Sequence, residues 1–147
     1  MDMFMMEVQN TLNFIHKIYY IYKMNNIQKR FVLFLVGCIG TRSFFVILAK
    51  YIDIKYLPIL GYLALIPAIG FIYIYLTGSR KTGGEVFGKK IWWNELRPIH
   101  GFLYLMFAYN AILSKKTAWV YLLFDVIIGV ISFLIYHFLS GNFNKLF

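Results

Sequence analysis

"FVLFLVGCIGTRSFFVILAKY", residues 31–51, is one apolar run interrupted by a single arginine, Arg42, before it reaches Lys50. A helix needs about 20 mostly apolar residues to cross a hydrocarbon core, and this run is long enough. In a water-soluble domain it would have to be buried by the rest of the chain. The rest of the chain cannot do that. Of 147 residues, 61% are hydrophobic and 14% charged; a soluble domain is about half apolar and a quarter charged. The sequence therefore predicts an all-α integral membrane protein.

Three more runs follow. "YLPILGYLALIPAIGFIYIYL", residues 56–76, is a second span, with Pro58 suited to a helix's first turn and Pro67 set to kink its middle. "AWVYLLFDVIIGVISFLIYHFL", residues 118–139, is the last. Between them, "IHGFLYLMFAYNAIL" at 99–113 is short for a span. Extended back through "IWWNELRP", it covers 91–113, with Pro98 as a kink and Trp92 and Trp93 at the interface, where tryptophan is enriched. The expected fold is a four-helix transmembrane bundle over residues 31–139, with a tail at 140–147. In the N-terminal 30 residues, Leu12, Ile15, Tyr19 and Tyr22 recur at helical spacing over 12–24. They could form an amphipathic helix on a membrane surface. A disordered tail, or an upstream extension with Met24 as the start, fits the same residues. The first thirty residues lack the pattern of a cleaved secretory leader, and the single cysteine, Cys38, excludes an internal disulfide.

With four spans, the N-terminus, the 77–90 loop and the C-terminus share a side. That side carries Lys17, Lys23, Lys29, Arg30, Arg80, Lys81, Lys89, Lys90, Arg97 and Lys145; the other carries Lys50, Lys55, Lys115 and Lys116. The asymmetry predicts that both termini are cytoplasmic. The net charge of +9 then suits anionic headgroups, and no nucleic-acid partner is expected.

"TGGEVFGKK", residues 82–90, has the G-x-x-x-x-G-K skeleton of a phosphate-binding P-loop. That motif needs a preceding strand, and a Ser or Thr after its lysine to hold Mg²⁺. Here a membrane helix precedes it and Lys90 follows Lys89. The glycines read as a pliable turn. Arg80, Lys81, Lys89 and Lys90 around it set topology, and they could grip lipid phosphates or an acidic partner.

Arg42 and Asp125 are charges inside apolar runs. Such residues face the bundle interior and find partners. Arg42 lies eight residues before Lys50 and Asp125 nine after Lys116. At 1.5 Å per residue both sit roughly 12–14 Å below the outer boundary. Opposite signs at one depth predict an ion pair, either a clasp between spans one and four or part of an ion or proton path. Near the inner boundary, Trp93, Arg97 and His100 share one helix face, with Asn94 and Glu95 beside them. This polar cluster is either an anchor or a site. His137 reads as a boundary residue, and a haem between it and His100 has no supporting context. No metal site, cofactor or catalytic set is assigned. Small residues at Gly37 and Thr41, and at Ala64 and Ala68, suit close helix packing.

The stretches "VGCIGTRSFFVILAKY", "LPILGYLALIPAIGF" and, most distinctively, "EVFGKKIWWNELRPIHG" resemble small multi-spanning proteins of large DNA viruses of algae and other protists. The resemblance spans roughly residues 31–115. It implies a viral or virus-derived protein of a host or virion membrane, and carries no activity or site residues with it. The resulting expectation is a structural, membrane-organising protein that contacts lipid and a viral protein or a second copy of itself. A small oligomeric transporter or channel using Arg42 and Asp125 is the alternative. A membrane enzyme with a site near Glu95, Arg97 and His100 is a third reading.

Overall fold

The first helix begins before its apolar run, because Asn25 caps it. The Asn25 Oδ1 accepts hydrogen bonds from the amides of Ile27 and Gln28, and Gln28 Oε1 accepts one back from the Asn25 amide at 2.8 Å. This reciprocal capping box satisfies amides that a helix start leaves without partners. The computed structural model of the protein describes residues 8–9, 11–13, 15–16, 24–83 and 90–146. Within them the chain is all-helical, apart from one isolated bridge between Thr82 and Lys90.

Four helices dominate. α1 (Asn26–Tyr51) is continuous, but its Leu33–Gly40 segment winds as a wide π-helix. α2 (Leu57–Thr77) has Pro58 in its first turn and continues as a helix through Pro67. Gly78 ends it with a φ of 60°, a left-handed conformation that glycine adopts without a Cβ clash. α3 (Arg97–Ile112) and α4 (Trp119–Leu139) complete the set. α1, α2 and α4 are long and apolar enough to cross a membrane.

α3 departs from the expected 91–113 span. A turn and a 3-10 segment at Asn94–Leu96 come first, and the α-helix starts at Arg97. The reason is Pro98. Proline lacks an amide hydrogen and suits the first helical turn, so it opens this helix rather than kinking a longer one. The 16 residues of α3 span about 24 Å at 1.5 Å per residue. At the N-terminus, residues 8–9, 11–13 and 15–16 are helical, with Leu12 and Ile15 exposed. Met24 lies in a bend, so the helix does not reach it. Lys17, Tyr19, Tyr22 and Lys23 lie outside the described residues.

α2 and α3 form the most extensive contact, and α4 packs on both α3 and α1. The α2–α3 seam is built from small residues. A Cβ on Gly61 would lie 3.0 Å from the Ala108 carbonyl oxygen, and one on Gly101 3.1 Å from that of Ala68. Ala64 and Ala68 are buried in the same seam. Gly37 and Thr41 are a different case. Thr41 Oγ1 donates to the Gly37 carbonyl within α1 at 2.6 Å, and nothing lies within 4 Å of a Cβ built on Gly37. That pair makes no helix–helix seam.

Polar side chains are buried within the apolar core, and large apolar ones face outward. Arg97, His100, Asn110, Asp125 and His137 are buried, while Val36, Ile66, Leu76, Phe138 and other large apolar side chains cover the surface. Water would select the opposite arrangement, whereas hydrocarbon penalises exposed polar groups.

Candidate functional site

Asp125 is 1% exposed and is held from two sides. Its Oδ2 accepts a hydrogen bond from Arg42 Nη1 at 2.8 Å. Its Oδ1 lies 2.5 Å from His100 Nδ1. Arg42 Nη1 and His100 Nδ1 are 3.1 Å apart. A carboxylate oxygen this close to Nδ1 places the proton on that nitrogen. Arg42 and His100 are then neighbouring donors to one carboxylate, and Nε2 is the remaining ring nitrogen. Arg42 also lies 5.5 Å from the centre of the Phe71 ring, a cation–π distance. Three helices thus meet at one buried carboxylate. The Arg42–Asp125 pairing agrees with their matched depths in the sequence, whereas the sequence pattern groups His100 with Trp93 and Arg97. Gly129 of α4 lies beside the ring: a Cβ there would be 3.9 Å from His100 Cε1, an ordinary van der Waals contact.

This triad lies at one end of a cavity of about 440 Å³. Arg30, Phe34, Cys38 and Arg42 line its wall on α1 at intervals of four. The π-helical turn, bonded i→i+5, is wider than an α-turn, which keeps this four-residue spacing close to a whole turn. α4 contributes Gly129, Phe133 and His137, and the segment before α3 contributes Trp92 and Trp93. Phe34 stacks parallel on Phe133 at 4.3 Å, and Trp92 on Tyr136 at 4.7 Å. Arg30, Arg80 and Lys90 line the other end. Among the described residues the lining holds four Arg or Lys side chains and no carboxylate; Asp125 stands behind Arg42 and His100.

The inner polar cluster divides. Trp93 precedes the 3-10 turn and does not share a helix with Arg97 and His100; the turn breaks the expected face. Arg97, 2% exposed, donates to Asn94 Oδ1 at 2.6 Å and to the Arg80 carbonyl at 3.0 Å. It ties the end of α2 to the start of α3. Asn94 Nδ2 donates to Glu95 Oε1 at 3.0 Å, and Glu95 is exposed. Arg97 is thus linked to Glu95 through Asn94, whereas His100 bonds Asp125.

Of the four loop cations, Arg80 and Lys90 line the cavity, and Lys81 accepts at its carbonyl from the Ile91 amide. Lys89, Gly84, Glu85 and Gly88 lie outside the described residues, and with them most of the P-loop-like stretch. His137 is 3% exposed. Its Nδ1 accepts from Asn142 Nδ2 at 2.9 Å, and its ring packs 4.3 Å from that of Phe133. Among the described residues, no group of three or more His, Cys, Asp or Glu side chains is placed to hold a metal ion.

No family model, curated protein or solved structure matches the chain. The functional reading therefore rests on geometry.

Proposed function

We propose that the protein is a four-span integral membrane protein with a membrane-organising role, whose basic end contacts anionic lipid on the cytoplasmic side. The observation that carries this reading is the gathering of Arg30, Arg80 and Lys90 at one end of an apolar-surfaced bundle, beside Trp92 and Trp93. Cations and tryptophans together suit an anionic headgroup layer. α3 serves as the fourth span, with the turn from Ile91 to Leu96 completing its reach. A viral or virus-derived origin is supported by the resemblance of "EVFGKKIWWNELRPIHG".

Clustering of vesicles tests the role. Proteoliposomes should aggregate vesicles that contain anionic lipid, less so as salt screens the charges. Changing Arg80, Lys81, Lys89 and Lys90 to Gln should abolish the effect. Clustering that is absent in the native chain, or unchanged in the fourfold variant, refutes the reading. One observation favours transport as a second reading: the Arg42–Asp125–His100 triad lines, or stands directly behind, a cavity. Ion flux that Asp125→Asn abolishes would establish it.

A further inference from the structure

The cavity has features that surface contact with lipid does not require. Its lining is cationic at both ends and aromatic between them. Arg80 and Lys90 are exposed at the end formed by the helix termini, which makes that end its mouth. Arg42 and His100 form its floor, held in place by Asp125. The cavity is also open sideways. Leu33 and Gly37 line it and are themselves exposed on α1. A cavity of about 440 Å³ falls within the size range of small-ligand sites, about 300–1,000 Å³.

Each feature constrains the occupant. Three cations line the mouth, which suits an anion, and a phosphate offers several acceptor oxygens to Arg and Lys. The aromatic walls select an apolar portion next to that anion. The side opening at Gly37 gives an apolar chain a route into the bilayer. A soluble phosphate would satisfy the first constraint alone. We propose that this cavity is a binding site for a phosphate-bearing amphiphile, with its phosphate held by Arg30, Arg80 and Lys90, its glycerol-sized core against Phe34 and Phe133, and its chain leaving past Gly37. This deepens the lipid-contact reading, since the mouth must lie at a lipid surface.

The π-helical turns of α1 fit this role. Leu33–Gly40 includes five lining residues: Leu33, Phe34, Gly37, Cys38 and Ile39. π-helical segments occur often at functional sites, and this one forms a cavity wall.

Trp92 and Trp93 report on the cavity, and Trp119→Phe removes the third tryptophan. In that background, phosphatidic acid with brominated chains should quench tryptophan fluorescence at roughly tenfold lower mole fraction than brominated phosphatidylcholine. A large excess of glycerol phosphate should not compete. Gly37→Leu should remove the preference by filling the side opening. Nothing lies within 4 Å of a Cβ there, so its melting temperature should stay near that of the parent. A measurement on the unmutated chain gives an independent check: phosphatidic acid should slow maleimide labelling of Cys38, which lines the same cavity. Equal preference in the parent and in Gly37→Leu, or no protection of Cys38, overturns the proposal. Vesicle clustering could still persist in that case, and the lipid contact would then be superficial. Competition by glycerol phosphate at matched concentration also overturns it, because the site would then belong to a soluble phosphate.

Discussion

Replacing Asp125 with leucine should be the most damaging single change in the buried triad. The carboxylate has two partners, so its loss leaves the Arg42 guanidinium and the His100 Nδ1–H facing each other 3.1 Å apart. Arg42 is only 15% exposed. Breaking a buried ion pair costs about 3–5 kcal/mol in soluble proteins. Snorkelling and water defects lower the figure in a bilayer, so about 3 kcal/mol is expected. Arg42→Met should cost less, about 1–2 kcal/mol, because His100 still donates to Asp125. The double variant should be more stable than Asp125→Leu by about 1 kcal/mol, since no guanidinium is then stranded. It should not return to the parent value, because His100 remains without its acceptor. Adding His100→Leu should recover much of the rest, as buried ionic groups can often be exchanged for apolar ones at little cost. Thermal unfolding in detergent, followed by circular dichroism, reads these differences at about 3 °C per kcal/mol. Asp125→Leu should therefore melt about 9 °C below the parent. Additive losses in the double variant, or Arg42→Met as harmful as Asp125→Leu, would show that the carboxylate does not bind the two groups as described.

Other outcomes follow from the packing. Gly61→Ala should destabilise by about 1–3 kcal/mol, because its Cβ would press on the backbone of α3 at 3.0 Å. Gly37→Ala meets nothing within 4 Å and should be neutral, or stabilising by about 0.5–1 kcal/mol through helix propensity; chemical or thermal melts of both variants check the contrast. Arg97→Leu removes the bonds to the Arg80 carbonyl and Asn94 and should speed tryptic cleavage after Arg80 and Lys81 in limited proteolysis. Asn25→Ala removes the two hydrogen bonds its side chain accepts, from the amides of Ile27 and Gln28, and leaves the Asn25 amide bonded to Gln28; a loss of about 1 kcal/mol is expected in the same melts.

Apolar length made the helices legible in the sequence. Depth counting from Lys50 and Lys116 brought out Arg42 and Asp125, because distance along a helix is proportional to residue number. Neither device gives the direction a side chain faces around its helix. The sequence pattern groups His100 with Trp93 and Arg97 for that reason. That grouping requires one helix from Ile91 onward, whereas the helix starts at Arg97 and His100 bonds Asp125. The small pairs show the same limit. Ala64 and Ala68 meet a neighbour and Gly37 meets a cavity, although both pairs share a four-residue spacing. The π-helical turn of α1 has no distinguishing composition. The cavity did leave one trace: Arg30, Phe34, Cys38 and Arg42 recur at steps of four.

The central claim is that four helices cross the membrane and bring the basic mouth of the cavity to the cytoplasmic face. Cysteine accessibility tests it most directly. In a Cys38→Ser background, single cysteines at Ser79, beyond α2, and at Ser114, beyond α3, are labelled in intact cells with a membrane-impermeant maleimide. Position 114 should react from outside, and position 79 only after the cells are permeabilised. Labelling of both positions from the same face would contradict the account.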